Sequence, residues 1–307
     1  MNSKVISAHL AVLTANLIYG ANYTIAKQVM PEYIQAFGFI FIRVLVTAAI
    51  FFSLAFIGEK EEVEKKDMIR LFFCAVFGVA TNQLLFFSGL DLTTPINASL
   101  MMTTNPIMVL IVASFILREK ITLRKIAGII MGLVGASTLL LWGKQVSFGS
   151  ASALGDLFIL INSLSWGIFL IMVRPLMQKY KTITVMKWVF LFGSILVFPF
   201  GWEQFNRIEW STFGTDTWLA AAYVVIGTTS IAYLLNTHAL KNLSSSSVSA
   251  YIYLQPAFAT AFAIMLGKDQ LHYLHVLSAL LIFTGVFLVS GTDFRQKAER
   301  FLSSKKS

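Results

Sequence analysis

The chain is poor in everything that usually carries chemistry. Only 13% of its 307 residues are charged, and it has four histidines and one cysteine. A lone cysteine, Cys74, excludes an internal disulfide framework. Of His9, His238, His272 and His275, only the last two lie close, at i and i+3, and no third ligand stands at metal-binding spacing, so no metal site is expected. There is no glycine-rich phosphate loop and no nucleophile paired with a base. With no clustered acids either, a membrane enzyme acting on lipid or prenyl chains is disfavoured and no cofactor is expected. Long polar connections are missing too. The longest are 58–67, 144–154 and 203–216, none large enough to hide a soluble domain.

Apolar residues are what the chain has, at 57% of the total. Residues 5–26, 71–90, 92–117, 126–143, 157–173, 217–240, 242–267 and 270–292 contain no Asp, Glu, Lys or Arg. Two further segments, 33–57 and 182–202, carry one cation each, Arg43 and Lys187. About 20 apolar residues cross the hydrocarbon as a helix, and lipid leaves backbone groups no other partner. Ten spans follow. Barrel strands would show alternation over about ten residues instead. Lys4 ahead of an apolar stretch without a cleavage pattern predicts that the first span is retained.

The second half repeats the first. At an offset of 150, Leu90 falls on Leu240, Ser99 on Ser249, Pro106 on Pro256, Ala113 on Ala263, Arg118-Glu119 on Lys268-Asp269 and Gly135 on Gly285. At 147, Leu13, Leu17 and Tyr19-Gly20 fall on Leu160, Leu164 and Trp166-Gly167. Five spans per half is odd, so the second copy enters the bilayer from the opposite side. The expected organisation is a first five-helix repeat at 1–143, a linker at 144–154, a second repeat at 155–292 and a basic tail at 293–307. The fold class is an all-α integral membrane protein with a 5+5 inverted-topology repeat. Alternating sides from a cytoplasmic N-terminus places 19 Lys and Arg inside and 4 outside, with Arg43 within the membrane. That bias predicts that both termini are cytoplasmic. It also accounts for the net charge of +9. A nucleic-acid binder would gather that charge on one soluble face, so nucleic acid is not an expected partner.

Inverted repeats are the architecture of secondary transporters, which bind a solute near the midplane and expose it to each side in turn. Polar residues agree with that use. In span 1, Asn16, Tyr19 and Asn22 recur every three residues; in span 4, Asn97, Met101 and Asn105 recur every four. The counterparts of the latter in span 9 are Ser247, Tyr251 and Gln255. Each of these two helices meets a proline, Pro106 or Pro256, expected to kink it and free a carbonyl that a cavity can satisfy. Asn82, Gln83 and Phe86 in span 3, Asn162 and Trp166 in span 6, and Thr229, Tyr233 and Asn236 in span 8 lie at similar depth. Any of these could instead join helices. Spans 5 and 10, with Gly128, Gly132, Gly135 and Gly285, suit close packing or a dimer face, so monomer and homodimer both stay open. Trp188, Trp202, Trp210 and Trp218 sit nearer helix ends, as interfacial anchors do.

Arg43, near the midplane, must avoid lipid. Two readings stand: a structural bond to helix-end carbonyls or to Asp91 or Asp156, or contact with an anionic group of a solute. His238, at the inner end of span 8, could titrate near neutrality or be an ordinary helix-end residue. Lys187 can snorkel to the surface.

Tyr19-Gly20 with Asn22, Arg43, Gly89-Leu90 through Thr94 and Ala98 to Pro106, Arg118-Glu119-Lys120, Gly155-Asp156-Leu157, Trp166-Gly167 and Arg174 together give a likeness. Over nearly its whole length the chain resembles the EamA-type transporters of the drug/metabolite transporter superfamily. The resemblance implies a ten-helix carrier, usually an inner-membrane exporter of amino acids or other small metabolites. Two four-helix lobes would form a central cavity, with the fifth helix of each half peripheral. The small multidrug exporters of that superfamily carry a glutamate in the first helix, and span 1 has no acid. Its sugar-phosphate and nucleotide-sugar carriers hold phosphate with lysine or arginine, whereas spans 9 and 10 offer Tyr251, Tyr253 and Gln255, with Lys268 only at a helix end. A small uncharged, zwitterionic or aromatic metabolite is therefore the expected cargo, the lipid bilayer the other partner. The phosphorylated-sugar class and a channel remain as alternatives.

Overall fold

A computed structural model describes residues 3–25, 29–30, 33–58, 61–93, 95–119, 121–141, 150–265 and 270–304. For 23–24, 95–97, 150–152 and 292–304 it describes the backbone alone. Most of the 144–154 linker, with Lys27, Lys60, Lys120, Lys144, Lys268, Lys305 and Lys306, thus lies outside the described residues, as does the side chain of Asn97.

Among the described residues each apolar run forms a helix, and no strand occurs. The helices are α1 (Ser3–Ile25), α2 (Ala36–Ile57), α3 (Lys65–Leu92), α4 (Pro95–Met102 and Asn105–Ile116) and α5 (Leu123–Leu141) in the first half. In the second half they are α6 (Ser150–Lys179), α7 (Thr182–Asn206), α8 (Thr215–Ala239), α9 (Ser245–Met265) and α10 (Tyr273–Ser304). Among the described residues, ten helices are long and apolar enough to cross a membrane. Side chains such as Phe56, Ile57, Phe115 and Leu123 are more than four-fifths exposed, which suits lipid and not water.

The repeat extends to the helices' irregularities. A π-helical stretch interrupts α3 at Val76–Thr81, and another interrupts α8 at Tyr223–Ile231, overlapping at the 150-residue offset. In α8, hydroxyls take up carbonyls there: Thr229 donates to Val224 O at 3.0 Å and Ser230 to Val225 O at 3.0 Å. Helix α4 breaks at Thr103 and Thr104, whose hydroxyls donate back to Leu100 O and Met101 O, both at 2.6 Å. Helix α9 tightens to a 3-10 turn at Tyr251–Tyr253. Pro106 and Pro256 each stand in the first turn of the helical piece that follows, where a missing N–H costs little. The interruption therefore precedes the proline, where the sequence pattern placed the kink at it.

Packing obeys the same symmetry. Helix α6 lies against α3 and α4, and α1 lies against α8 and α9, the equivalent pairs. Helices α2 and α7 pair with each other, as do α5 and α10. The last pair meets backbone to backbone: a Cβ on Gly128 would stand 2.6 Å from Gly285 O, and one on Gly135 2.8 Å from Ser278 O. The glycines expected to serve packing or a dimer are thus used between the halves of one chain. The largest core cluster runs through α2, α3, α6, α7, α8 and α9, with Phe51, Phe169, Phe190 and Tyr253 almost fully buried.

Candidate functional site

Seven helices from both halves surround a central cavity of about 170 Å³. A water takes on the order of 10–15 Å³ of such volume, so the space suits a solute of amino-acid size. Helix α1 contributes Asn16, Tyr19 and Asn22 at their three-residue spacing. Arg43 enters from α2, Asn82 and Phe86 from α3, Asn162 and Trp166 from α6, Tyr233 and Asn236 from α8, and Gln255 from α9.

Met101, Asn105 and Tyr251 are not brought to this wall, and the helix breaks explain why. On a straight helix Asn97, Met101 and Asn105 would share a face. The break at Thr103 and Thr104 turns the second piece of α4, so Met102 meets the cavity and Asn105 faces α6. There Asn105, fully buried, donates to Ser163 O at 3.0 Å. The 3-10 turn does the same in α9, presenting Val248, Ile252 and Gln255 to the cavity. The Tyr251 hydroxyl instead pairs with His9 Nδ1 of α1 at 2.8 Å. Gln83, noted with Asn82 and Phe86 in span 3, lines the cavity as well, whereas sequence reasoning passed over Phe87, Met102, Thr228, Val248 and Ile252, whose apolar or small side chains carry no polar signal.

Hydrogen bonds hold the wall in place. Gln255 donates to Asn16 Oδ1 at 2.9 Å and Asn16 to Val12 O at 2.8 Å, tying α9 to α1. Asn162 donates to Asn82 O at 2.5 Å, tying α6 to α3, and Tyr233 donates to Gly78 O at 3.0 Å. The Trp166 and Tyr233 rings meet edge to face, centroids 5.3 Å apart. Three acceptors on the wall, Oδ1 of Asn22 and of Asn162 and Oε1 of Gln83, are buried and bonded to nothing among the described residues.

Arg43 is the one charged residue lining the cavity among the described residues. Its Nε donates to Thr229 Oγ1 at 2.9 Å, and its guanidinium lies 5.8 and 5.9 Å from the Phe39 and Phe87 ring centroids. Neither acid proposed from the sequence pairs with it. Asp156 accepts from Thr93 at 2.6 Å, and no described acid forms an ion pair with Arg43.

The bundle is tightly cross-linked at the end where α3, α5, α7 and α9 begin. Arg118, with φ of 51°, turns the chain after α4 in a left-handed conformation that an L side chain adopts at a cost of about 1 kcal/mol. The turn delivers Glu119 to a hub. Its carboxylate accepts from Lys125 of α5 at 3.0 Å, Arg174 of α6 at 2.7 Å and Ser246 of α9 at 3.0 Å. Lys125 is almost wholly buried. Nearby, Lys179 and the Tyr180 hydroxyl donate to Asp67 at 2.7 and 2.8 Å, and Gln178 donates to Leu240 O and Lys241 O. Hydrogen bonds from Lys179 and Lys66 hold the Glu64 carboxyl below its usual range. His238 sits here too, 3.4 Å from Thr182, away from the cavity.

The model of the EamA-like transporter family matches the chain twice, at residues 6–141 and 153–291. An uncharacterized transporter of Archaeoglobus fulgidus is 25% identical over 94% of this chain and 98% of its own length. The uncharacterized transporter YoaV of Bacillus subtilis is 26% identical with the same coverage. Protein WALLS ARE THIN 1 of Arabidopsis thaliana is 22% identical over 92% of this chain and 82% of its own. A solved crystal structure, 18% identical, superposes with a TM-score of 0.77 over 94% of this chain and 98% of that one. That likeness speaks to the fold alone.

Proposed function

The chain belongs to the EamA-like transporter family and is a multi-pass membrane transporter, and from that premise we propose that it is an alternating-access carrier of a small organic metabolite. The cargo is uncharged, zwitterionic or aromatic, an amino acid being the model case. The carrier works as an exporter in the inner membrane with both termini cytoplasmic, and it is built of two units, 1–143 and 155–292, joined by the 144–154 link. The observation that carries this reading is the polar and aromatic cavity lined by both repeats, with the bundle cross-linked at one end by the Glu119 hub. One guanidinium suits a phosphate-bearing polyanion poorly, since two or more negative charges would meet a single positive one.

Purified protein in liposomes tests the reading. Preloading with an unlabelled neutral amino acid such as leucine or phenylalanine should drive saturable, transient accumulation of the labelled form from outside. Flux that rises linearly with concentration and shows no counterflow would point to a channel and overturn the carrier reading.

A further inference from the structure

A charged side chain inside the membrane is costly, and a buried cation without its partner is destabilising. Arg43 bears both costs. It is only 9% exposed, and the described residues supply a single neutral acceptor, the Thr229 hydroxyl on Nε. Phe39 and Phe87 face the guanidinium with ring faces, which favour a cation yet accept no strong hydrogen bond. The two Nη groups donate to no described side chain. The guanidinium fork is thus left facing a cavity whose walls, among the described residues, hold no Asp or Glu.

From this unpaired cation on the cavity wall we propose that Arg43 anchors a carboxylate of the transported solute, making the site one for organic monocarboxylates. The inference rests on the carrier reading above and sharpens its cargo. An Arg fork matches a carboxylate with two parallel charge-assisted hydrogen bonds, which gives orientation as well as affinity. The rest of the wall is complementary to what such a solute carries besides its acid. Oδ1 of Asn22 and of Asn162, buried and unbonded, accept from an amine or hydroxyl donor. The edge-to-face corner of Trp166 and Tyr233, with Phe86, takes an apolar or aromatic body. With one positive charge and no negative one, the cavity disfavours organic cations, and a second carboxylate on the solute would go uncompensated.

The test is uptake into proteoliposomes of matched solutes that differ at one group. Labelled phenylalanine, 3-phenyllactate and leucine carry the carboxylate; phenylalaninamide and leucinamide replace it by an amide, and phenethylamine lacks it. At least one acid should enter saturably and at least about tenfold faster than its amide or amine, the scale of a charge-assisted hydrogen bond. Arg43→Gln should lose that preference by lowering uptake of the acid about tenfold or more, and Arg43→Lys, which keeps the charge but not the fork, should retain part of it. Amides or amines carried as well as the acids, or a preference unchanged in Arg43→Gln, would overturn the inference while leaving the carrier reading standing. Uptake of no solute in the whole set would count against both. Should Arg43→Gln fail to insert, the wild-type ratio of acid to amide and its change in Arg43→Lys decide.

Discussion

Two asparagines on neighbouring helices illustrate how differently one residue type is used. Asn162 spends its amide nitrogen on Asn82 O and holds its unbonded oxygen on the cavity wall, whereas Asn105, whose oxygen is likewise unbonded, donates to Ser163 O of α6 and lies off that wall. Removing a single hydrogen bond to a bound solute costs about 1 kcal/mol, or roughly fivefold in affinity. Asn162→Ala should therefore raise the KM for transport several-fold. Asn105→Ala should instead lower thermal stability in detergent by about 1 kcal/mol, with the KM unchanged. Initial-rate uptake and a melting curve on each variant check both halves of this prediction. Residue type and spacing in the sequence singled out both asparagines. What separates them is a backbone break two residues before Asn105, to which helical periodicity is blind.

At the scale of elements, the ten spans were legible because lipid enforces helices on long apolar runs, and the glycines of spans 5 and 10 because only small residues permit close contact. The helix interruptions were legible only through their prolines, which mark the helical piece after the break. The π segments left no sequence signature, since the hydroxyls of Thr229 and Ser230 could equally have served ordinary turns. The α5–α10 contact gives a sharp test. Any Cβ on Gly128 would meet Gly285 O at 2.6 Å, a backbone atom that cannot move aside alone, whereas a Cβ on Gly291 meets nothing within 4 Å. Gly128→Val should destabilise by at least about 2 kcal/mol and reduce the amount of monodisperse protein recovered. Gly291→Ala should leave both unchanged, as size-exclusion profiles and melting curves would show.

Across the whole molecule, the repeat and the charge bias predicted an inverted 5+5 organisation that the helix packing reproduces, pair for equivalent pair. The contents of the cavity bear on coupling. A carrier driven by protons needs a titrating group exposed to each side in turn. Among the described residues no Asp, Glu or His lines this cavity, and His9 and His238 lie toward the cross-linked end, engaged with Tyr251 and Thr182. An imposed pH gradient without a solute gradient should therefore drive no accumulation in proteoliposomes. Uphill uptake abolished by His9→Ala or His238→Ala would make the coupled mechanism correct.

The claim that the two repeats expose one cavity to each side in turn is tested most directly by labelling a cavity cysteine. Phe86→Cys, in a Cys74→Ser background, would be reacted with an impermeant thiol reagent in right-side-out and in inverted vesicles, with Ser150→Cys as the marker of orientation. Ser150→Cys should react only from outside. Glu119→Gln, which removes one charge from the carboxylate holding Lys125, Arg174 and Ser246, should raise labelling of Phe86→Cys from the cytoplasmic side and lower it from the other. Labelling that rises from both sides together would reveal a continuous pore. A cysteine at Phe86 that reacts from neither side would contradict the account altogether, leaving the polar wall as helix packing.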